Sequence, residues 1–412
     1  MKPGCRFSEF SILRDMKQWS YVNSAAQIIG YYKGEEPFAA FVKKYFAQHK
    51  KYGSKDRKQI SHLCYCYFRL GKLALSLSAE ERILSALFLC SDKQNEILEA
   101  LKPEWNKNVL LTLEEKCSFL NNPELKKYSL LDIFPWKKEL SDGIEYEKFT
   151  TSFLVQPDLF LRLRPGKESI VKHKLENAGS EFRFVEDDCI ALSNSSKLDE
   201  IIGINKEAVV QDYSSQRVGE LLEPVRRARQ TEGIRVWDCC AASGGKSMML
   251  YDINPTIDLT VSDIRESILT NLRKRFNEAG IKKYKTLVAD LSGGNIKQQQ
   301  ANFDLIICDA PCTGSGTWSR TPEQLYYFDE NKIDKYSLLQ KQIVVNTIPF
   351  LKEGGYFLYI TCSVFKKENE AVVDFIKKKF PLEIIQARII NGYEIKADTM
   401  FAALFKKGSE GE

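Results

Sequence analysis

The chain has 412 residues, 43% hydrophobic and 28% charged, with a formal net charge of +5. That length exceeds one ordinary core and implies two or three domains, while so mild a positive charge tolerates a polyanion without identifying one. No run of eighteen apolar residues marks a membrane span, and "MKPGCRFSEF" lacks the apolar core of a signal peptide, so a cytoplasmic protein with no membrane partner is expected.

Residues 1–135 read as a helical domain. In "PFAAFVKKYFAQ" the residues Phe38, Phe41, Val42, Tyr45 and Phe46 recur at helical spacing, with Pro37 suited to the first turn. Ser78 and Glu81 form a capping box ahead of "RILSALFLC", and Gly71 is placed to stop the helix carrying Ile60, Leu63, Cys64 and Tyr67. The aromatic stripe is read as core.

Residues 145–220 read as a small α+β module: the β-like runs "LFLRLR" and "FRFVEDDCIALS" surround the helix-like "KESIVKHKLENAG". Its basic residues Arg162, Arg164 and Lys167 are expected on a solvated face, with phosphate binding as the alternative.

From 221 to 408 strands and helices alternate, as in a doubly wound α/β sheet. "IRVWDCC" leads to a glycine turn and helix, "DLTVSD" to "IRESILTNLRKRFNEAG", and "YKTLVAD" follows. Then come "FDLIICDAPC", a long helix containing "SLLQKQIVVNTIPFLKEGG", and "YFLYITCS"; "EIIQA" and "MFAALFKK" supply two more strands. The ending "KKGSEGE" is expected to fray.

Three of these strands end in an acid, Asp238, Asp263 and Asp290, and such ends line the ligand crevice of an open parallel sheet. The loop "CAASGGKS" carries Gly244 and Gly245, which let a ligand approach the backbone. It is neither GxGxxG nor a phosphate-binding GxxxxGK[ST], because Cys240 stands where the latter needs glycine. A glycine turn followed by Asp263, suited to two ribose hydroxyls, points to S-adenosylmethionine or a dinucleotide.

Cysteine needs separate treatment. Eleven cysteines, an odd number, argue against a disulfide framework. Cys64/Cys66 and Cys239/Cys240 lack zinc spacing, and His49, His62 and His173 are far apart in sequence, so no metal site is expected. Cys312, however, lies in the turn after a strand that delivers Asp309, and Cys362 ends the next strand. If those strands are neighbours, about 4.8 Å apart, both thiols face one substrate. Paired thiols beside a methyl donor suit carbon 5 of a pyrimidine, which becomes nucleophilic only after a thiolate adds to carbon 6. Asp309 is suited to the ring nitrogen or amino group, and Lys246 to lowering a thiol pKa.

"DCCAASGGKS", "DIRESI", "CDAPCTGSG" and "YITCSVFKKENE", with the upstream "QDYSSQ", resemble the RNA cytosine-5 methyltransferases of the Fmu/Sun (RsmB-like) type. The resemblance implies a Rossmann-like class I methyltransferase domain at 221–408, preceded by a NusB-like all-α domain and an RNA-binding-like module. It implies Cys362 as nucleophile, Cys312 as the cysteine assisting product release, Asp309 as base contact and Lys246 as the cofactor-loop lysine. It also implies cofactor contacts at Cys240, Ala241, Ala242, Ser243, Gly244, Gly245, Lys246, Asp263, Arg265, Asp290 and Asp309. Ser243 departs from the family's usual proline and removes a source of loop rigidity.

The expected function is therefore S-adenosylmethionine-dependent methylation of carbon 5 of cytosine in RNA by a monomer, with 16S-type ribosomal RNA the first candidate and tRNA the alternative. Arg320, Arg226, Arg227 and Arg229 are candidates for phosphate contacts. The competing classes are a non-catalytic RNA-binding ribosome assembly factor and an amino-nitrogen methyltransferase, which needs no covalent thiol.

Overall fold

Apolar residues three and four apart turn the N-terminal region into helices. The computed structural model describes residues 5–121, 128–223, 233–293 and 302–408, with side chains from residue 14 onward. It divides into two compact units, one of 1–138, 145–156 and 318–329, the other of 139–144, 157–317 and 330–412. Among the described residues no helix is long and apolar enough to cross a membrane.

The first unit contains helices Cys5–Tyr31, Phe38–Gln48, Ser54–Arg69 and Ala79–Cys90. Phe38, Val42, Tyr45 and Phe46 are buried, so the aromatic stripe is core. Ser78 Oγ accepts from the Glu81 N–H at 3.2 Å, the first half of a capping box. Gly71 ends its helix in the left-handed region at φ +49°, and a Cβ there would lie 2.3 Å from the Ile133 carbonyl oxygen. Buried Arg82 donates to the carbonyls of Tyr67, Gly71 and Leu73, satisfying acceptors that the helix end would otherwise strand.

The second unit holds two sheets. The smaller has the order β2-β3-β1-β4, all neighbours antiparallel: β1 Leu159–Leu163, β2 Phe182–Glu186, β3 Cys189–Leu192 and β4 Ala208–Val210. "FRFVEDDCIALS" is a hairpin folded at Asp187 and Asp188. Leu161 and Leu163 pack with Val171 and Leu175 of helix Glu168–Asn177. Period-two alternation sends Arg162 and Arg164 to the other face. There the expectation of a solvated or phosphate-holding edge fails. Arg162 is 5% exposed, and both guanidiniums pair with the buried carboxylate of Asp252 at 2.7 Å. The reason lies outside the local pattern, since Asp252 belongs to the helix after the glycine loop, Gly245–Ile253.

The larger sheet has the order β10-β11-β9-β8-β5-β6-β7. Its strands are β5 Arg235–Asp238, β6 Asp258–Asp263, β7 Tyr284–Val288, β8 Phe303–Asp309, β9 Leu351–Thr361, β10 Leu382–Ile390 and β11 Met400–Lys407. β5 through β9 run parallel, and β10 and β11 add antiparallel pairings. Both faces are covered, as a parallel sheet requires. Val236, Leu305, Ile307, Leu358 and Ile360 pack on one side, while Trp237, Ile306, Cys308, Phe357 and Tyr359 pack on the other.

One expected helix is shorter than its apolar pattern suggests. The segment "SLLQKQIVVNTIPFLKEGG" is helical only to Thr347, after which Pro349 sits in a short 3-10 turn and Leu351 already belongs to β9. Proline has no N–H for the helical ladder, and "FLKEGG" therefore extends into the sheet.

Candidate active site

The direction of chain winding reverses between β5 and β8, both of which lie at the centre of the sheet. Such a switch point leaves a crevice beyond the strands' C-terminal ends. A pocket of about 590 Å³ opens there, lined among others by Cys240, Asp263, Asp290, Asp309, Cys312 and Cys362. A second cavity of about 570 Å³, near Arg217 and Glu220, contains no cysteine, and none of the expected site residues lines it.

The loop 240–246 is shaped by short-range constraints. Ala241 N–H donates to the Ser262 carbonyl at 2.9 Å, and Ala242 N–H to Asp263 Oδ2 at 3.2 Å. Gly244 adopts φ +82°, and a Cβ there would lie 2.6 Å from the Phe276 ring and 3.0 Å from Leu272. Gly245, by contrast, would present a Cβ to open space. Ser243, in place of proline, accepts from Arg275 Nη1 through both its carbonyl, at 2.9 Å, and its hydroxyl, at 2.7 Å. Arg275, on helix Glu266–Glu278, thus restrains the loop where a ring is absent.

The acidic strand ends have separate environments. Asp263 accepts at Oδ1 from the backbone N–H and Nε of Arg265, at 2.9 and 3.1 Å. Asp290 is exposed, and Ser292 donates to its carboxylate from both N–H and hydroxyl, holding its pKa below the usual carboxylate range. Asp238 does not reach the pocket. It is buried, takes a 2.6 Å hydrogen bond from Ser247 Oγ, and burial pushes its pKa up to about 7.

Lys246, at the start of helix Gly245–Ile253, places Nζ 2.7 Å from Asp309 Oδ2 and 3.2 Å from Ser215 Oγ. Burial works against its charge, but Asp309 and, less strongly, the Cys362 sulfur override that effect and raise its pKa. Ser215, in "QDYSSQ", was not singled out from sequence. It accepts from Gln211 Nε2 at 3.1 Å, and Gln211 accepts from Arg162 Nε at 2.9 Å, so the polar chain runs from β1 to the pocket.

β8 and β9 are neighbours, and the two sulfurs meet: Cys312 Sγ lies 3.2 Å from Cys362 Sγ. The Cys312 thiol is pushed well above its ordinary pKa, first by its hydrogen bond to Cys362 and then by burial. Either sulfur can donate across this contact.

A residue that sequence reading missed fixes both cysteine loops. Buried Glu368 accepts from Thr313 N–H at 2.9 Å, Thr313 Oγ1 at 2.6 Å, Ser363 Oγ at 2.6 Å and Gln340 Nε2 at 3.0 Å. Thr313 and Ser363 each follow one of the cysteines. Gly316 N–H donates to the Cys362 carbonyl at 2.9 Å, and any side chain at Gly316 would strike the Thr399 carbonyl. The only sequence signal was the polar cluster "KKENE".

Arg320 belongs to the helical unit. Arg226, Arg227 and Arg229 lie outside the described residues.

A 28S rRNA (cytosine-C(5))-methyltransferase of Mus musculus is 29% identical over 198 residues, covering 47% of this chain and 25% of that protein. Ribosomal RNA small subunit methyltransferase B of Proteus mirabilis (strain HI4320) is 34% identical over 162 residues, covering 39% of this chain and 36% of that protein. The chain thus spans about a quarter to a half of the length of the first curated relatives it matches. The crystal structure of PH0851 shares the fold, with a TM-score of 0.68 and 20% identity, covering 94% of this chain and 98% of that one. The family described as "16S rRNA methyltransferase RsmB/F" matches residues 197–406, half of the sequence and the whole of the pocket, and the chain belongs to that family.

Proposed function

We propose that this protein transfers a methyl group from S-adenosylmethionine to carbon 5 of a cytosine in ribosomal RNA, through a transient bond between Cys362 and carbon 6. The observation that carries the reading is the 3.2 Å approach of two thiols from adjacent strand ends, beside Asp309 and a pocket of nucleoside size. The family and the names of the relatives support ribosomal RNA as substrate, and the small-subunit RNA is the first candidate.

The pocket suits the cofactor. The Asp263 carboxylate lies at the end of β6 where ribose hydroxyls are commonly held; Ala242 and Arg265 occupy its acceptor sites, so a ribose takes the place of the exposed Arg265 guanidinium. Ile264 and Leu291 give apolar walls, and Ala242 brings the loop to the pocket. S-adenosylmethionine supplies an electrophilic methyl group there.

The remaining work falls to side chains. The Cys362 thiolate adds to carbon 6, and the electrons of the carbon 5–carbon 6 double bond become available at carbon 5. Asp309, paired with Lys246 at 2.7 Å, accepts from the exocyclic amino group of cytosine, a donor that uracil lacks. After methylation carbon 5 still carries its hydrogen as a proton to be lost; its removal sends the electron pair back to re-form the double bond and expel the Cys362 thiolate. Cys312 is suited to this step. Its pKa is raised chiefly by Cys362, and that effect falls away once the Cys362 sulfur is tied up as a thioether.

The test is methyl incorporation into unmodified small-subunit RNA, large-subunit RNA and tRNA, followed by bisulfite sequencing of the product. A newly protected cytosine in ribosomal RNA is expected. Methylation elsewhere than carbon 5, or full activity in Cys362→Ser, would overturn the reading.

A further inference from the structure

A second group of sulfurs lies behind the catalytic pair. Cys239 follows β5, and Cys308 lies on β8 one residue before Asp309; the Cys239 N–H donates to the Ile307 carbonyl at 2.9 Å and so locks the two chain segments together. Both side chains point to the same face of the sheet, and Cys240 packs against that cluster from the pocket side. The three Sγ atoms all lie within 4.8 Å of one another. Cys239 and Cys308 are buried and Cys240 is half-buried, and both Cys239 and Cys240 line the pocket.

We propose that Cys239, Cys240 and Cys308 form a three-thiolate site for a divalent thiophilic cation of the zinc class. Three sulfurs, each about 2.3 Å from a shared cation, stand roughly 3.8–4.0 Å apart, so the group needs only a small contraction to close around one. The choice of ion follows from charge. Three thiolates on an apolar face carry a charge of −3 while the nearby Lys246 is committed to Asp309, and a divalent cation offsets more of it than a monovalent one. The pocket, lined by Cys239 and Cys240, supplies the entry path. Each sulfur–metal bond replaces an S–H bond, so three protons pass to solvent for each cation bound. Sequence spacing concealed the site because Cys308 comes from the next-but-two strand along the chain.

The experiment uses the full chain carrying Cys312→Ser and Cys362→Ser, which removes the catalytic thiols from the count. Cadmium is the probe, because its thiolate charge-transfer absorption in the ultraviolet reports sulfur ligation directly. Adding Cys308→Ser is expected to remove one tightly bound cadmium per chain and about three released protons with it. Cys239→Ser is expected to do the same and serves if the first variant does not fold, and zinc is expected to displace the cadmium. A folded parent with no sulfur–cadmium absorption, or one whose bound cadmium count is unchanged by both substitutions, overturns the proposal.

Discussion

Lys246 Nζ and Asp309 Oδ2 are 2.7 Å apart in a pocket wall where the lysine side chain is 11% exposed and the aspartate 28%. The pair joins the glycine loop to the strand end that also delivers Cys312. Lys246→Met leaves a partly buried carboxylate without its cation, and Asp309→Asn leaves a buried ammonium without its anion. Each single change is expected to lower stability, toward the low end of the ~3–5 kcal/mol typical of breaking buried pairs because Asp309 retains some solvent. The double variant should recover part of the loss, a coupling of about 0.5–3 kcal/mol in a denaturation cycle. Additive losses would show that the contact carries no coupling.

The two cysteines should separate kinetically. Cys362→Ala removes the sulfur proposed to bond carbon 6, and methyl incorporation should fall to background. Cys312→Ala leaves that bond able to form but slows its breakage, so a protein–RNA adduct resistant to denaturant should accumulate on a gel. Normal turnover by the Cys312 variant, with no adduct, would show that release does not depend on it.

Glu368 gives a prediction with a definite pH sign. Burial raises its pKa, even though four donors oppose the shift. The folded state therefore binds a proton more tightly than the unfolded chain, and this contribution to stability is fully present below the ordinary carboxyl value and is lost as pH rises through the elevated one. Glu368→Gln abolishes that titration and turns an amide donor toward groups that already donate. It should cost about 1–3 kcal/mol for the mispaired network and lower kcat more than the RNA KM. The stability gap between parent and variant, followed by thermal melting, should narrow as pH rises. A gap independent of pH would show that Glu368 does not titrate in this way.

How far the sequence was legible depends on the distance to the partner. Cys312 and Cys362 could be paired before any coordinates because they end successive strands, and β8 and β9 are indeed neighbours. Gly71 and Ser78 were readable because caps are local. Arg162 and Arg164 were misjudged because Asp252, which neutralises them, comes from another element. Glu368 was passed over for a similar reason: a carboxylate in a charged run looks solvated until the fold brings Thr313, Ser363 and Gln340 around it. The helix end at Thr347 was overrun because the apolar pattern continues past Pro349 into β9.

The glycine pair in the loop 240–246 should respond unequally to alanine. At Gly244 the left-handed backbone costs roughly 1–2 kcal/mol for any L-residue, and the methyl group would meet Phe276 and Leu272 within contact distance. Gly245 has helical backbone and space around a Cβ, so Gly245→Ala should leave the melting temperature nearly unchanged or slightly raised. Any loss in that variant should appear instead as a higher KM for the methyl donor. Equal melting temperatures for the two variants would contradict the assignment of strain to Gly244.

Asp252 is the anchor that holds two arginines of β1 and its following turn against helix Gly245–Ile253. Its side chain is 7% exposed, against 6% for Arg162 and 13% for Arg164. Solvent therefore screens the cluster little, and removing the anion strands two cations in the interior. Asp252→Ala is expected to cost about 3–5 kcal/mol, with little dependence on salt. Arg162→Met should cost less, because Arg164 still satisfies Asp252 through Nε and Nη2. The effect should reach the active site, since Arg162 also holds Gln211, which holds Ser215 against Lys246. Methyl transfer by Arg162→Met should therefore fall at temperatures where the protein remains fully folded. Activity that simply tracks the folded fraction would show that the polar chain from Arg162 ends before the pocket.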